Sequence, residues 1–175
     1  MTIDPDGKTL ARRDFMKIAA LGGGVTLLAP MAGALAAGKG IEAVVLSCMD
    51  YRVMDELAAW LHKGGYRNNY DHLVLAGASL GALVKQQPAW GKTFWSHLKI
   101  AIDLHSVKKA IIVDHRDCGA YSIFVGKDHN KSRAAETAVH AKYLRQLRTE
   151  IAQRHPALGV ELYLMDLDGS TEAIS

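Results

Sequence analysis

The apolar residues between positions 42 and 168 follow two alternating patterns. Short continuous apolar runs, typical of strands buried on both faces, occupy four segments: 42–47, 71–77, 108–115 and 159–168. Apolar residues at helical spacing predict helices over three segments between them: 53–65, 93–106 and 132–154. The remaining segment, 78–91, is predicted to be a glycine-rich loop with a short helical turn. Strands separated by helices of this length predict an α/β fold of three layers, with helices covering a mainly parallel sheet of four to five strands on both faces.

The first 36 residues have a different character. Arg12-Arg13, followed by Asp14-Phe15-Met16-Lys17, resembles the twin-arginine export signal. An apolar stretch and an A-x-A cleavage pattern at Ala34-Leu35-Ala36 follow it. The apolar stretch, 18–29, is shorter than the roughly twenty residues that a spanning helix needs. We therefore predict a signal peptide over 1–36, use of the twin-arginine translocation machinery and a periplasmic location. Whether the signal is cleaved or kept as an anchor stays open.

Composition narrows the class of the remaining domain, 37–175. The 175-residue chain is 49% hydrophobic and 22% charged, and its net charge of +3 comes from basic and acidic residues that are interspersed. This profile predicts one globular domain with a real core. It argues against a nucleic-acid-binding surface. Two cysteines are too few for a disulfide scaffold, although one bridge is possible.

Three potential metal ligands follow two of the predicted strands. Cys48 comes directly after the first strand, and His115 and Cys118 come at the end of the third. Sites in parallel sheets form outside the carboxyl ends of the strands, so these side chains are plausible neighbours. Two thiolates and one imidazole suit Zn²⁺, and three protein ligands leave a fourth position for a water that ionises near neutral pH. A Cys48–Cys118 disulfide is the alternative, but it accounts for neither His115 nor the charged residues near Cys48.

Those charged residues are Asp50 and Arg52, which alternate with Cys48. If the chain leaves the strand in an extended conformation, alternate side chains point the same way. Arg52 could then hold the Asp50 carboxylate through its guanidinium group. Asp50 would either orient a zinc-bound hydroxide or move to take the fourth zinc position.

Together, C-x-D-x-R after the first strand and H-x-x-C-G after the third resemble the signature of the β-class carbonic anhydrases. The resemblance extends over residues 42 to about 168. It implies zinc on Cys48, His115 and Cys118, with Asp50 and Arg52 as the catalytic dyad. It also implies a Rossmann-like fold, reversible hydration of CO2 to bicarbonate, and a homodimer or higher homo-oligomer with the active site near the subunit interface.

The chain departs from this family pattern at two places near the motifs. Tyr51 stands where family members usually have Ser or Ala, and it could narrow the pocket. The second strand ends in Val74-Leu75-Ala76-Gly77, where the family usually has R-N-A-G. Two other functions therefore stay open: hydrolysis of a CO2-like molecule such as carbonyl sulfide or carbon disulfide, and a non-catalytic zinc-binding role. Five further histidines are expected to be surface or packed residues rather than ligands: His72, His97, His105, His129 and His140.

Overall fold

The structure, a computed structural model, describes residues 40–175. The predicted signal peptide, 1–36, lies outside the described residues. Among residues 40–175, no helix combines the length and apolar character that a membrane span requires.

The centre of the described domain is a mainly parallel sheet with the strand order β2-β1-β3-β4-β5. Its strands are β1 (Ala43–Ser47), β2 (Tyr70–Val74), β3 (Lys109–His115), β4 (Gly159–Met165) and β5 (Thr171–Ala173). The first four strands pair in parallel, and β5 pairs antiparallel to β4 at one edge. This sheet confirms the predicted α/β fold.

Helices connect the strands and cover both faces of the sheet. They are α1 (Met54–Lys63), α2 (Ser79–Leu83), α3 (Pro88–His105), α4 (Gly119–Phe124) and α5 (Arg133–Arg154). Two 3-10 turns, Tyr51–Val53 and Lys127–Asn130, lie next to the carboxyl ends of β1 and α4.

The two faces of the sheet bury apolar cores of different size. Alternate residues of β1 illustrate the division, because successive side chains of a strand point to opposite faces. Val44 and Leu46 belong to the larger core, with residues of α2, α3 and α5. Ala43 and Val45 belong to a smaller core that includes residues of α1. Burial on both sides explains why the strand sequences are continuously apolar.

The strand order reverses direction at β1. The chain passes from β1 to β2 on one side, and then crosses back so that β3 pairs with the other side of β1. In open parallel sheets, ligand sites form beyond the carboxyl ends of the strands at such a reversal. Cys48 directly follows β1, and His115 is the last residue of β3.

The structure differs from the predicted elements at some boundaries. Helix α3 begins at Pro88, five residues before the predicted start at 93. Proline is well suited to this first helical position, because its missing N–H group would have no partner there. Strand β2 ends at Val74, and the following turn includes Gly77 at a positive φ of 76°. Strand β5 and helix α4 were not predicted, since both are too short to produce a clear periodic pattern.

Candidate metal centre

Cys48 lies one residue beyond β1, with its side chain buried. Its Sγ atom accepts a hydrogen bond from the backbone N–H of Gly77, at 3.3 Å. Gly77 has a left-handed backbone, and a Cβ atom at this position would lie 3.1 Å from the Cβ of Ala120. Glycine is therefore needed here, because only a residue without a side chain lets the backbone approach the cysteine in this conformation.

His115 and Cys118 reach the same point from the end of β3. The Nδ1 atom of His115 lies 2.8 Å from the carbonyl oxygen of Arg116, a geometry in which Nδ1 carries the proton and donates it. This leaves Nε2 as the free nitrogen of the ring, and it is buried without a hydrogen-bond partner among the described residues. Such an arrangement is the usual one for a metal-binding histidine.

The three side chains come together as the sequence predicts. The Sγ atoms of Cys48 and Cys118 lie 3.9 Å apart, and one donor atom from each of the three residues lies within 4.8 Å of the others. Two thiolates at about 2.3 Å from a tetrahedral zinc ion would lie about 3.8 Å apart, so the donor set fits zinc. Both cysteines are free thiols in this structure, and the alternative disulfide is not formed.

The protonation of the three side chains is coupled. A hydrogen bond from Cys118, supported by His115 and by the Gly77 N–H, lowers the pKa of Cys48. The same hydrogen bond and burial raise the pKa of Cys118. Burial lowers the pKa of His115, but the Cys48 thiolate, the Arg116 carbonyl and the Asp50 carboxylate together outweigh burial and leave this pKa raised. One thiolate therefore forms readily, which favours capture of a cation between the sulfur atoms.

Asp50 and Arg52 form a closely bonded pair beside the ligands. The Nε and Nη2 atoms of Arg52 donate to the two carboxylate oxygens of Asp50, at 3.0 and 2.8 Å. These hydrogen bonds lower the pKa of Asp50 to about 2. The Oδ2 atom of Asp50 lies 3.8 Å from the Nε2 atom of His115. The carboxylate is thus held in its charged form next to the space between the ligands.

The backbone that carries this pair differs from the prediction. An extended exit from β1 was expected, but a 3-10 turn begins at Tyr51, and Asp50 caps it by accepting a hydrogen bond from the backbone N–H of Arg52 at 3.0 Å. The cap brings Asp50 and Arg52 together because the turn shortens the distance between their Cα atoms. Tyr51 is 86% exposed in the single chain, and its effect on the width of the pocket stays a prediction.

Asp117 also belongs to the site, and the sequence reasoning missed it. Its carboxylate accepts a hydrogen bond from Nη1 of Arg52 at 2.8 Å, and its carbonyl oxygen accepts one from Nη2 at 2.9 Å. Asp117 has a positive φ of 54°, a conformation that Asp tolerates better than most residues. The only sequence signal for Asp117 was its position in the motif H-R-D-C, between His115 and Cys118. Arg52 therefore links the Cys48 segment to the turn between His115 and Cys118.

The other histidines fall into two groups. His72, His97 and His105 are exposed, as expected for surface residues. His129 and His140 are buried, as expected for packed residues.

Comparison with known proteins identifies the family. Residues 39–152 match the family model described as putative carbonic anhydrase. An uncharacterized protein of Rickettsia conorii is 37% identical over 131 residues, which cover 75% of this chain and 70% of the relative. A second uncharacterized protein, of Rickettsia bellii, is 35% identical over 131 residues, covering 75% of this chain and 80% of the relative.

Solved structures share the fold at low sequence identity. A β-carbonic anhydrase of the fungal pathogen Aspergillus fumigatus aligns with a TM-score of 0.54 and 15% identity, covering 81% of this chain and 78% of that one. The β-carbonic anhydrase isoform I of Trichomonas vaginalis aligns with a TM-score of 0.52 and 12% identity, covering 93% and 92%. With the family match over 39–152 and the buried Cys48–His115–Cys118 cluster, which could hold a metal ion, the chain belongs to the putative carbonic anhydrase family.

Proposed function

We propose that this protein is a zinc-dependent lyase that hydrates CO2 reversibly to bicarbonate. The observation that carries the proposal is the placement of a charged Asp50, held by Arg52, directly beside the buried Cys48–His115–Cys118 cluster. A metal-binding cluster alone would serve equally well as a structural site. A carboxylate fixed next to it, with 17% of its side chain exposed, adds a group that can act on a substrate.

The two charged residues have distinct roles in this proposal. Zinc, when bound by the three ligands, supplies a hydroxide nucleophile at neutral pH. Asp50, charged and next to the three ligands, would accept a hydrogen bond from the reacting group and so orient it. Arg52 donates to both oxygens of Asp50 and would hold the carboxylate in place beside the three ligands, rather than among them. Asp117 holds Arg52 from the opposite side through two further hydrogen bonds.

The test is CO2 hydration by purified, zinc-loaded protein over neutral to alkaline pH. We expect a rate well above that of buffer, measured by stopped flow with a pH indicator. A matched protein with both cysteine ligands replaced by serine provides the background. Equal rates for the zinc-loaded protein and this control would contradict the proposal.

A second candidate is hydrolysis of carbonyl sulfide or carbon disulfide by the same centre. The observation that favours it is the apolar pair Val74-Leu75, which stands where the resemblance predicts Arg-Asn and leaves Val74 41% exposed. An apolar wall would suit a substrate less polar than bicarbonate. Release of sulfide from either compound, compared with the rate on CO2, separates the two reactions.

A non-catalytic zinc protein is the remaining alternative. It requires Asp50 to be bound to the metal at every pH. Two nitrogens of Arg52 donate to the two carboxylate oxygens of Asp50. This favours the catalytic alternative, because moving Asp50 onto the metal would break these charge-assisted hydrogen bonds. A crystal structure of the zinc-loaded protein at high pH tests this, and direct Asp50–zinc ligation there would support the non-catalytic role.

We further propose that the chain acts as a homodimer or higher homo-oligomer. Large apolar side chains are exposed close in sequence to the ligands, namely Met49 (65%), Tyr51 (86%) and Ile123 (76%). Ile100 and Leu104, on α3, are also exposed. On α4, Ile123 is exposed, whereas Tyr121 is buried. Light scattering at micromolar concentration should give the mass of at least two chains, and a monomer would contradict the proposal.

The export signal leads to a separate proposal of a periplasmic location. It rests on Arg12-Arg13 and the apolar stretch that follows. Cell fractionation should recover the protein in the periplasm. Replacing both arginines by lysine should retain it in the cytoplasm if the twin-arginine machinery is used.

A further inference from the structure

A second group of potential metal ligands is buried away from the cysteines. His129 lies on the 3-10 turn Lys127–Asn130, whereas Glu136 and His140 lie one turn apart on α5. The exposed fractions of the three residues are only 4%, 6% and 0%. One donor atom from each lies within 4.8 Å of the others. Residues four apart on a helix share a face, so Glu136 and His140 approach the same point from α5.

His140 is oriented by a buried carboxylate. Its Nδ1 atom lies 2.9 Å from Oδ2 of Asp114, which is itself 1% exposed. Within the described domain, His140 is the only ionisable base that forms an ion pair with Asp114. The Asp114 carboxylate also accepts hydrogen bonds from neutral groups of Ser79 and Tyr121. With the Nδ1 proton facing Asp114, Nε2 is the nitrogen of His140 that is left to bind a ligand.

His129 is oriented in the same way by a backbone carbonyl. Its Nδ1 atom lies 3.0 Å from the carbonyl oxygen of Gly126 and so carries the proton. The Nε2 atoms of His129 and His140 are both buried, and neither has a hydrogen-bond partner among the described residues. Two buried acceptor nitrogens without donors are costly, because each has lost its hydrogen bonds to water. A bound cation would satisfy both at once.

Glu136 completes the donor set. Its Oε1 atom accepts a hydrogen bond from the backbone N–H of Asp117 at 2.6 Å, and its Oε2 atom accepts one from Nη1 of Arg116 at 3.2 Å. An ionised carboxylate has about four lone-pair positions, so these two bonds leave Glu136 able to bind a cation as well.

We propose that a second divalent metal ion, Zn²⁺ or a similar one, binds to His129, Glu136 and His140. Two imidazole nitrogens and one carboxylate oxygen are a donor set that such ions accept readily. The carboxylate–histidine contact of Asp114 and the carbonyl contact of His129 are the outer-shell arrangements that fix ligand tautomers at metal sites. The complete burial of the three ligands makes this a structural site.

The proposed ion would act on the catalytic region through Glu136. Glu136 holds the backbone N–H of Asp117, and Asp117 holds Arg52. The ion would therefore fix the turn that carries Asp117 and connect the 3-10 turn to α5. A buried water bridging the two histidines is the competing occupant, and the experiment distinguishes them.

Metal stoichiometry of the full-length protein is the first test. The protein is stripped with a chelator, titrated with Zn²⁺ and measured by metal analysis after gel filtration. We expect one more tightly bound zinc per chain than the cysteine site alone can hold. A single zinc per chain would overturn the proposal and leave a bridging water as the occupant.

Cobalt spectroscopy then locates the additional ion. The double variant Cys48→Ser/Cys118→Ser should still bind one Co²⁺ with visible d–d bands, but without the near-ultraviolet thiolate-to-cobalt band of the wild type. Conversely, His140→Gln should lose the additional equivalent and keep the thiolate band. His97→Gln, at an exposed histidine of α3, is the matched control and should change neither spectrum nor stoichiometry.

Metal content and spectra of the histidine variants either support or overturn the proposal. An additional equivalent that persists in a folded His129→Gln/His140→Gln protein, checked by circular dichroism, would place the ion at surface groups and overturn the proposal. Because metal content and spectra are the measurements, the outcome does not depend on carbonic anhydrase activity. A protein with two ions and no CO2 hydration would support this site while contradicting the proposed function.

Discussion

The two buried ligand clusters are built differently. Cys48, His115 and Cys118 come from segments at the carboxyl edge of the sheet, and the partly exposed Asp50 lies beside them. His129, Glu136 and His140 come from a helix and a 3-10 turn, and Asp114, which orients His140, is as buried as they are. The comparison suggests that access, rather than the presence of ligands, separates a catalytic from a structural centre.

The largest effect in this comparison should come from removing a thiolate ligand. In Cys48→Ser, we expect loss of zinc from the cysteine cluster and loss of measurable CO2 hydration, because a hydroxyl is a far weaker ligand than a thiolate. The zinc at the histidine cluster should remain. Gln153→Ala, at an exposed residue of α5, is the control. Metal analysis beside rate measurement checks both, and full activity in Cys48→Ser would contradict the assigned centre.

Removing the carboxylate should affect rate without affecting metal. We expect Asp50→Ala to retain zinc at both clusters, since no ligand is lost, while turnover falls by about 10²- to 10⁴-fold. Asp55→Ala removes an exposed carboxylate from the first turn of α1 and should have little effect. Normal turnover in Asp50→Ala would show that the alternation of Cys48, Asp50 and Arg52 has another cause.

Removing the positioning residue should have a smaller effect in the same direction. In Arg52→Ala, Asp50 loses both side-chain hydrogen bonds and becomes free to approach the metal. Loss of an outer-shell partner typically costs about 10- to 100-fold in activity or metal affinity. Arg52→Lys keeps the charge without the bidentate geometry and should give an intermediate rate. If Arg52→Ala and wild type turn over equally fast, Arg52 has no positioning role.

The smallest effect concerns the buried residues that connect the two regions. Tyr121→Phe removes one hydrogen bond to the Asp114 carboxylate, made at 2.6 Å. Hydrogen bonds to charged groups contribute about 1.5–3 kcal/mol, so the free energy of unfolding should fall by about that amount. Zinc content should stay the same. The half-buried Tyr143, which packs against Tyr121, provides the control Tyr143→Phe in chemical denaturation, and equal losses in both variants would show that packing rather than the Asp114 bond is responsible.

Local patterns account for most of what the sequence could predict. The continuous apolar runs of β1 and β3 identify buried parallel strands, and each candidate metal-binding motif begins at the carboxyl end of one of them. The rule that sites form at the carboxyl edge then brings Cys48 and His115 together without knowledge of the packing. The donor chemistry of two thiolates and one imidazole completed the zinc prediction. These steps need no tertiary structure, because strand direction and ligand type are properties of short segments.

The histidine cluster and the Asp117 contact needed the tertiary structure. His129 and His140 resemble ordinary packed histidines in the sequence, since neither lies at the end of a strand. Their convergence depends on how the 3-10 turn folds back against α5. The contact between Arg52 and Asp117 joins residues 65 positions apart.

By itself, then, the sequence determined the α/β fold, the cysteine–histidine centre and the pairing of Asp50 with Arg52. The tertiary structure decided which polar residues surround that pair, that Tyr51 is exposed, and that Asp114 orients His140. The physical reason is that periodicity and motif spacing are set by neighbouring residues along the chain. Contacts between separate elements depend on strand register, turn geometry and side-chain packing, which only the folded chain specifies.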